Sequence, residues 1–428
     1  MKTFEKGFFI GAATAAHQVE GNNIHSDYWA QELMPHTSFA EPSGIACDHY
    51  SRYEEDIRMM AEAGLNAYRF SVEWARIEPE EGKYDEAEVE HYRKVIRCCR
   101  ENGVEPVVTL HHFTSPVWLI RKGGWEAEST VEDFRRYAAY VTEQLGSELN
   151  YICTINEANM GLQLAAISKR FMLMAQQAAK AAAAGKKAEG TVQVGMNFEK
   201  MMENRKYAAS ENNEVFGTPQ PQVFVSSRTP AGDALVFRAH QAAKEAVKAL
   251  YPDIKVGITL SMHDLQALEG GEKYAADAWD EEFRHYLPFI RDDDFLGVQN
   301  YTRTQYGPEG QLPCPEGAEL TQMDYEFYPE ALEHVIRKVH EDFKGDLIVT
   351  ENGTAVSDDS RRVEFIRRAL EGVQNCIRDG IPVKGYCYWS LMDNFEWQKG
   401  FSMTFGLVDV NRQTMQRTPK QSLYYLGE

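Results

Sequence analysis

Across 428 residues, 43% hydrophobic and 26% charged, 65 Asp and Glu outnumber 45 Lys and Arg and leave a formal charge of −20. That excess of carboxylates, with no basic stripe to offset it, excludes nucleic acid as the natural partner and leaves an uncharged small molecule as the easier ligand. No apolar run approaches the ~20 residues that cross a bilayer, so no membrane span is expected.

Strand-like runs alternate with helical periodicity along the chain. The first run, Phe8–Ala13, has two readings: with Lys2 and Lys6 ahead of it the stretch from Phe8 to Ala16 resembles a signal peptide, yet a buried first strand has the same composition. Further strands are predicted at Ala67–Val72, Pro106–Leu110, Tyr151–Ile155, Lys255–Thr259, Phe295–Gln299, Leu347–Thr350 and Val383–Trp389. Between them, apolar residues step by three and four, as at Tyr53, Ile57, Met60, at Val131, Phe134, Tyr137, Val141, and at Val363, Ile366, Leu370, Val373, Ile377. Gly64, Gly103 and Gly380 stand where such helices should stop. Eight strands with intervening helices predict an α/β chain folded as a single (β/α)8 TIM barrel with elaborated βα loops, spanning residues 1–428. A doubly wound open sheet is the competing fold, but no dinucleotide or phosphate-loop glycine pattern supports it.

One stretch breaks the rhythm, at about 161–230 after the fourth strand. It combines an Ala/Lys/Gln-rich run (Gln176 to Lys187), the methionines Met172, Met174, Met196, Met201 and Met202, and a Pro/Ser/Thr-rich passage from Pro219 to Pro230. In a barrel such an insertion is a lid or binding wall, or else a solvated surface excursion. Seven cysteines, an odd number without CxxC spacing, suggest neither a zinc site nor a disulfide framework, and a reducing cytoplasm is the expected location.

The chemistry is expected where strands end. Thr154-Ile155-Asn156-Glu157 closes the fourth strand and Thr350-Glu351-Asn352-Gly353 the seventh. In a barrel both carboxylates point into one bowl, as glycoside hydrolysis requires of its acid/base and nucleophile; a retaining enzyme holds them about 5–5.5 Å apart. Alone, either Glu is as well explained as a helix cap or a surface ion pair. Gln18, Arg69, Glu73, His111, His112, Tyr301 and Trp389 stand at other strand ends, with Asp393-Asn394-Phe395-Glu396-Trp397 soon after. Polar groups that bond vicinal hydroxyls, together with indoles that stack on a sugar face, make a carbohydrate subsite.

FEKGFFIGAATAAHQVEG from Phe4, YRFSVEWARI from Tyr68, TLHHFTSPVWL from Thr109, TINEA at 154, VTENG at 349 and YWSLMDNFEW at 388 resemble family 1 glycoside hydrolases, the β-glucosidase family. The likeness covers both ends and most of the middle, missing chiefly Gly161–Pro230. It implies Glu157 as acid/base and Glu351 as nucleophile, with Arg69 and Tyr301 orienting the nucleophile. It also implies that Gln18, His112, Asn156, Glu396 and Trp397 bind glycone hydroxyls and that Trp389 is the sugar platform. No metal or organic cofactor is implied. Arg69 beside Glu351 should favour its ionised form, whereas Glu157, facing that charge, should keep its proton.

Several positions depart from the family pattern. Ala158 stands for a usual proline, Ile152 and Phe113 for tryptophans, Gln299 for asparagine and Thr404 for arginine. The expected substrate is a small β-D-glucoside or related β-glycoside. The intact Glu396-Trp397 pair argues against a 6-phospho-glycoside, because a carboxylate there would repel phosphate. A transglycosidase and a non-catalytic sugar-binding barrel remain as alternatives. The sequence is silent on whether the chain forms a homo-oligomer.

Overall fold

The computed structural model describes residues 4–167 and 195–428. Eight parallel strands close into a barrel: β1 (Phe9–Ala13), β2 (Ala67–Ser71), β3 (Glu105–His111), β4 (Tyr151–Ile155), β5 (Lys255–Ser261), β6 (Phe295–Gln299), β7 (Asp346–Asn352) and β8 (Val383–Trp389). The order around the barrel follows the chain, and closure is made by β8 on β1, from Phe9 opposite Gly385 to Ala13 opposite Trp389. The fold is therefore the expected (β/α)8 barrel, not an open sheet. The N-terminal apolar run is its first strand, paired on its other side with β2.

Parallel strands covered on both faces read as continuous apolar runs, which is why these eight stood out in the sequence. Helices pack outside them with the predicted stripes inward: Ile57 and Met60 on His49–Glu62, Phe134, Tyr137 and Val141 on Ser129–Leu145, and Ile366, Leu370 and Val373 on Asp359–Arg378 are all buried. Local chemistry starts and stops these helices. The Asp85 carboxylate accepts from the Ala87 and Glu88 amides ahead of Glu86–Glu101, and Thr229 caps Pro230–Leu250 with Pro230 in the first turn. Gly64, Gly103 and Gly380 end helices in left-handed backbone at φ +98°, +71° and +87°.

A buried polar chain ties the N-terminal third to the C-terminus. The Arg417 guanidinium donates to both carboxylate oxygens of Asp56 at 2.8 and 2.9 Å and to the Cys47 carbonyl at 2.7 Å. His49 Nδ1 meets Asp56 at 2.8 Å, and its Nε2 lies 3.1 Å from the Tyr68 hydroxyl, which pairs with Thr14 at 2.6 Å. None of the seven cysteines is in a disulfide. Among the described residues no helix is long and apolar enough to cross a membrane.

Of the two readings for the stretch after β4, a lid or binding wall and a surface excursion, the described parts show some of each. Met172, Met174 and the Gln176–Lys187 run lie outside the described residues. Residues 160–167 are helical, with Leu164 and Ile167 buried. The helix Phe198–Phe216 is largely exposed, Met201 and Met202 included. The passage from Pro219 to Pro230 turns inward instead: Phe224 is fully buried against Trp125 and His111, and the Gln222 carbonyl accepts from the Trp125 amide.

Candidate active site

The C-terminal ends of the strands converge on a cavity lined by His112, Phe113, Asn156, Glu157, Tyr301, Glu351, Trp389, Glu396, Trp397 and Phe405. Eight of the ten predicted site residues are thus brought into one wall. Of the other two, Gln18 joins from the side, its amide donating to the Phe395 carbonyl at 2.8 Å and to Glu396 at 3.4 Å. Arg69 lies beneath, fully buried. Two other strand-end residues turn away: Glu73 accepts from the Thr114 hydroxyl at 2.6 Å, and His111 pairs with Ser115 at 3.0 Å.

Arg69 organises the floor. One guanidinium nitrogen donates to Glu351 Oε1, a second to Asn156 Oδ1 at 2.6 Å, and Nε to the Thr109 hydroxyl at 3.0 Å. The Tyr301 hydroxyl donates to the other Glu351 oxygen at 2.6 Å. Asn156 Oδ1 also accepts from Thr259 Oγ1 at 3.1 Å and Gln299 Nε2 at 2.8 Å. With three donors on its oxygen, the amide nitrogen must face His112 Nε2, 3.1 Å away. An amide nitrogen only donates, so Nε2 accepts and the ring proton sits on Nδ1, which has no partner among the described residues. Burial, with the Arg69 charge added, holds His112 well below the usual histidine range, so the ring is neutral.

Aromatic packing shapes the side of the cavity around Trp397. Trp397 lies parallel to His17, with centroids 6.0 Å apart, and contacts Phe113 at 5.1 Å. His17 is fixed by Glu32 at 2.7 Å. Phe113 packs its ring between Trp397 and Phe224, so the substitution of phenyl for indole keeps apolar area and removes an N–H donor. Glu157, Phe113 and Trp397, all lining the cavity, have left-handed φ of +44°, +70° and +47°. Non-glycine residues hold that conformation only when their surroundings impose it.

The two central carboxyls differ electrostatically. Burial raises both. For Glu157 the neighbouring Glu351 charge adds to burial and carries it well above the ordinary glutamate range. For Glu351 the Arg69 charge and the hydrogen bonds from Tyr301 and Arg69 work against burial, and the rise is smaller. The expected order of the pair holds, although Arg69 does not bring Glu351 below its ordinary value. Glu396 is pushed up to about 8 by burial and by the Glu351 charge, opposed by hydrogen bonds from Gln18 and Trp389. It is therefore largely neutral at pH 7, which removes the basis for excluding a 6-phosphate by carboxylate repulsion. What the cavity wall lacks is a cation: none of its described lining residues is Lys or Arg.

Thr109, Thr259, Ser261, Gln299 and Phe405 complete the site and were not predicted for it. The only signal for Thr259 and Ser261 was position: polar residues two apart at the C-terminal end of a strand, on one face. Arg228, from the divergent stretch, is buried behind the turn that carries Glu157 and donates to the Ala158 and Phe224 carbonyls at 2.9 and 2.8 Å. Among the described residues no group of three or more His, Cys, Asp or Glu is placed to hold a metal ion.

Residues 1–183 and 313–428 match the model of glycosyl hydrolase family 1. The unmatched stretch, 184–312, starts later and runs further than the divergence expected at 161–230, and it contains β5 and β6. Beta-glucosidase A of Acetivibrio thermocellus is 29% identical over all of this chain and 98% of its own length. The crystal structure of beta-glycosidase BGL167 is 44% identical with a TM-score of 0.86, covering 99% of this chain and 96% of that one. A beta-glycosidase from Pyrococcus horikoshii is 30% identical with a TM-score of 0.77, over 99% and 94% of the two chains. With its closed barrel and the carboxyl pair at the ends of β4 and β7, this chain belongs to glycosyl hydrolase family 1.

Proposed function

We propose that this glycoside hydrolase is a retaining β-glucosidase that removes the terminal non-reducing β-D-glucosyl residue from a small glycoside, the whole chain serving as one catalytic unit. The carrying observation is the unequal carboxyl pair. Glu351, held by Arg69 and Tyr301, is the member better suited to be ionised, and Glu157 the member suited to be protonated. A Glu351 oxygen attacks the anomeric carbon as the glycosidic bond breaks, and the departing oxygen takes the Glu157 proton. Loss of the Glu351 charge in the glycosyl-enzyme lowers the proton affinity of Glu157. It then accepts a proton from water, whose oxygen displaces Glu351 from the sugar.

Gln18, His112, Asn156, Glu396 and Trp397 present donors and acceptors to the glycone, and Trp389 offers its indole face. An uncharged sugar fits a wall whose described residues include no Lys or Arg, and the relatives named beta-glucosidase support glucose as the glycone. Seven cysteines without a disulfide fit a reducing location such as the cytoplasm. Glu351→Gly tests the assignment: turnover is expected to vanish and azide to restore it with an α-glycosyl azide as product. A β-azide, or undiminished activity without azide, would refute Glu351 as nucleophile.

A further inference from the structure

The parallel register of β4 on β5 runs from Tyr151 opposite Lys255 to Cys153 opposite Gly257 and then ends. Beyond it, where pairing with β5 no longer fixes the chain on that side, three consecutive residues are held by one residue of β5. The Glu157 amide donates to Thr259 Oγ1 at 3.0 Å, the same hydroxyl donates to Asn156 Oδ1 at 3.1 Å, and the Ala158 amide donates to the Thr259 carbonyl at 3.1 Å. The last bond is closed to a proline, so the departure at Ala158 has a use here: a hydrogen bond replaces the stiffness of a ring.

The direction of these bonds is forced. A backbone N–H can only donate, so the Thr259 oxygen accepts from Glu157 and its own proton is directed to Asn156. The side chain is also confined. Gly297 lies opposite Thr259 on β6, and a Cβ there would stand 2.5 Å from the Thr259 methyl. Ser261, two residues along the same face, hydrogen-bonds the Glu157 carboxyl. Glu157 itself sits at φ +44°, a backbone state that its surroundings must impose.

We propose that Thr259 is a positioning residue for catalysis: its hydroxyl fixes the direction in which the Glu157 carboxyl faces the substrate, whereas Asn156 keeps its bonds from Arg69 and Gln299 when that hydroxyl is lost. The proposal rests on Glu157 being the acid/base. Thr259→Val removes the hydroxyl at nearly constant shape and leaves the bond from Ala158 in place. Thr259→Ala removes both the hydroxyl and the γ-methyl, and Thr259→Ser keeps the hydroxyl. Each is assayed on aryl β-glucosides whose leaving groups run from dinitrophenol to phenol and on an alkyl β-glucoside.

The valine and alanine variants are expected to lose about 10–100-fold in kcat/KM on the alkyl and phenyl glucosides and less than about 3-fold on the dinitrophenyl glucoside, with serine close to wild type. Equal losses across all leaving groups would mark a merely structural role and overturn the proposal, as would unchanged activity or a serine variant as weak as valine. The double variant Glu157→Ala, Thr259→Val separates the two assignments. With the carboxyl gone, loss of the hydroxyl should cost little more on any substrate, and a full further loss would overturn the proposal. If Glu157→Ala alone loses equally on every leaving group, the acid/base assignment falls, and the positioning role with it.

Discussion

The Tyr301 hydroxyl donates to Glu351 Oε2 at 2.6 Å, opposite the oxygen that takes the Arg69 guanidinium. Burial alone would keep this carboxyl protonated; these donors oppose it. In Tyr301→Phe the ionised form loses one stabilising bond, so the Glu351 pKa rises further. The acid limb of kcat/KM against pH is expected to move to higher pH, and kcat to fall about 10–100-fold at neutral pH. A pH–rate profile of wild type and variant checks both.

As the proposed acid/base, Glu157 should supply the opposite limb. Its proton is retained by burial and by the Glu351 charge. Glu157→Gln cannot transfer that proton, so the basic limb of the profile should disappear. Rates on poor leaving groups should fall about 10²–10⁴-fold, with far smaller losses in the first step on dinitrophenyl glucoside. Pre-steady-state release of dinitrophenol would show the first step intact and the second slowed.

Glu396 illustrates a conflict between function and stability. Its carboxyl is pushed up to about 8, above its value in an unfolded chain. The folded state therefore binds the extra proton, and the wild-type protein loses stability as pH rises from the unfolded pKa toward 8. Glu396→Gln removes that liability while retaining an oxygen to accept from Gln18. The variant is expected to melt higher than wild type, by more at pH 8 than at pH 5, while kcat/KM falls as a glycone contact changes. Calorimetry at the two pH values, beside kinetics, checks the pair of effects.

Asp56 shows the reverse sign. Burial would raise its pKa, but hydrogen bonds from His49 and Arg417 outweigh burial and the net shift is downward. Its contribution is present above the unfolded pKa and lost as pH falls through the folded one. Asp56→Asn leaves Arg417 buried beside a neutral amide and should cost about 3–5 kcal/mol at pH 7, since one partner of a buried pair is removed. The gap to wild type should narrow below about pH 4, where the unfolded aspartate begins to protonate. Denaturant unfolding at pH 7 and pH 3.5 checks it.

The barrel was legible because each of its strands is an apolar run between turn signals, and the central carboxyls because they close two such runs. What stayed hidden was polarity across strands. Nothing in the sequence near Lys255–Thr259 marks Thr259 as the partner of Asn156, since that pairing exists only once β5 lies beside β4. Gln299 reads as a departure from asparagine, yet its amide bonds Asn156 Oδ1 at 2.8 Å and so helps to orient the floor. From its composition, the passage around Phe224 and Arg228 could be read either as a binding wall or as a solvated excursion. Its two large side chains decide its place, and composition averages them away. The helix Phe198–Phe216, by contrast, is largely exposed.

Closure of β8 on β1 has a consequence for how the enzyme is made. Gln18 cannot reach Phe395 and Glu396 until nearly the whole chain has been synthesised, at about 5–20 residues per second, a delay of roughly 20 to 80 s. Until then β1 has no β8 to pair with, and the nascent chain carries an open sheet edge of the kind that recruits other strands. No truncated product can hydrolyse a glycoside ahead of that moment, so activity and escape from aggregation arrive together.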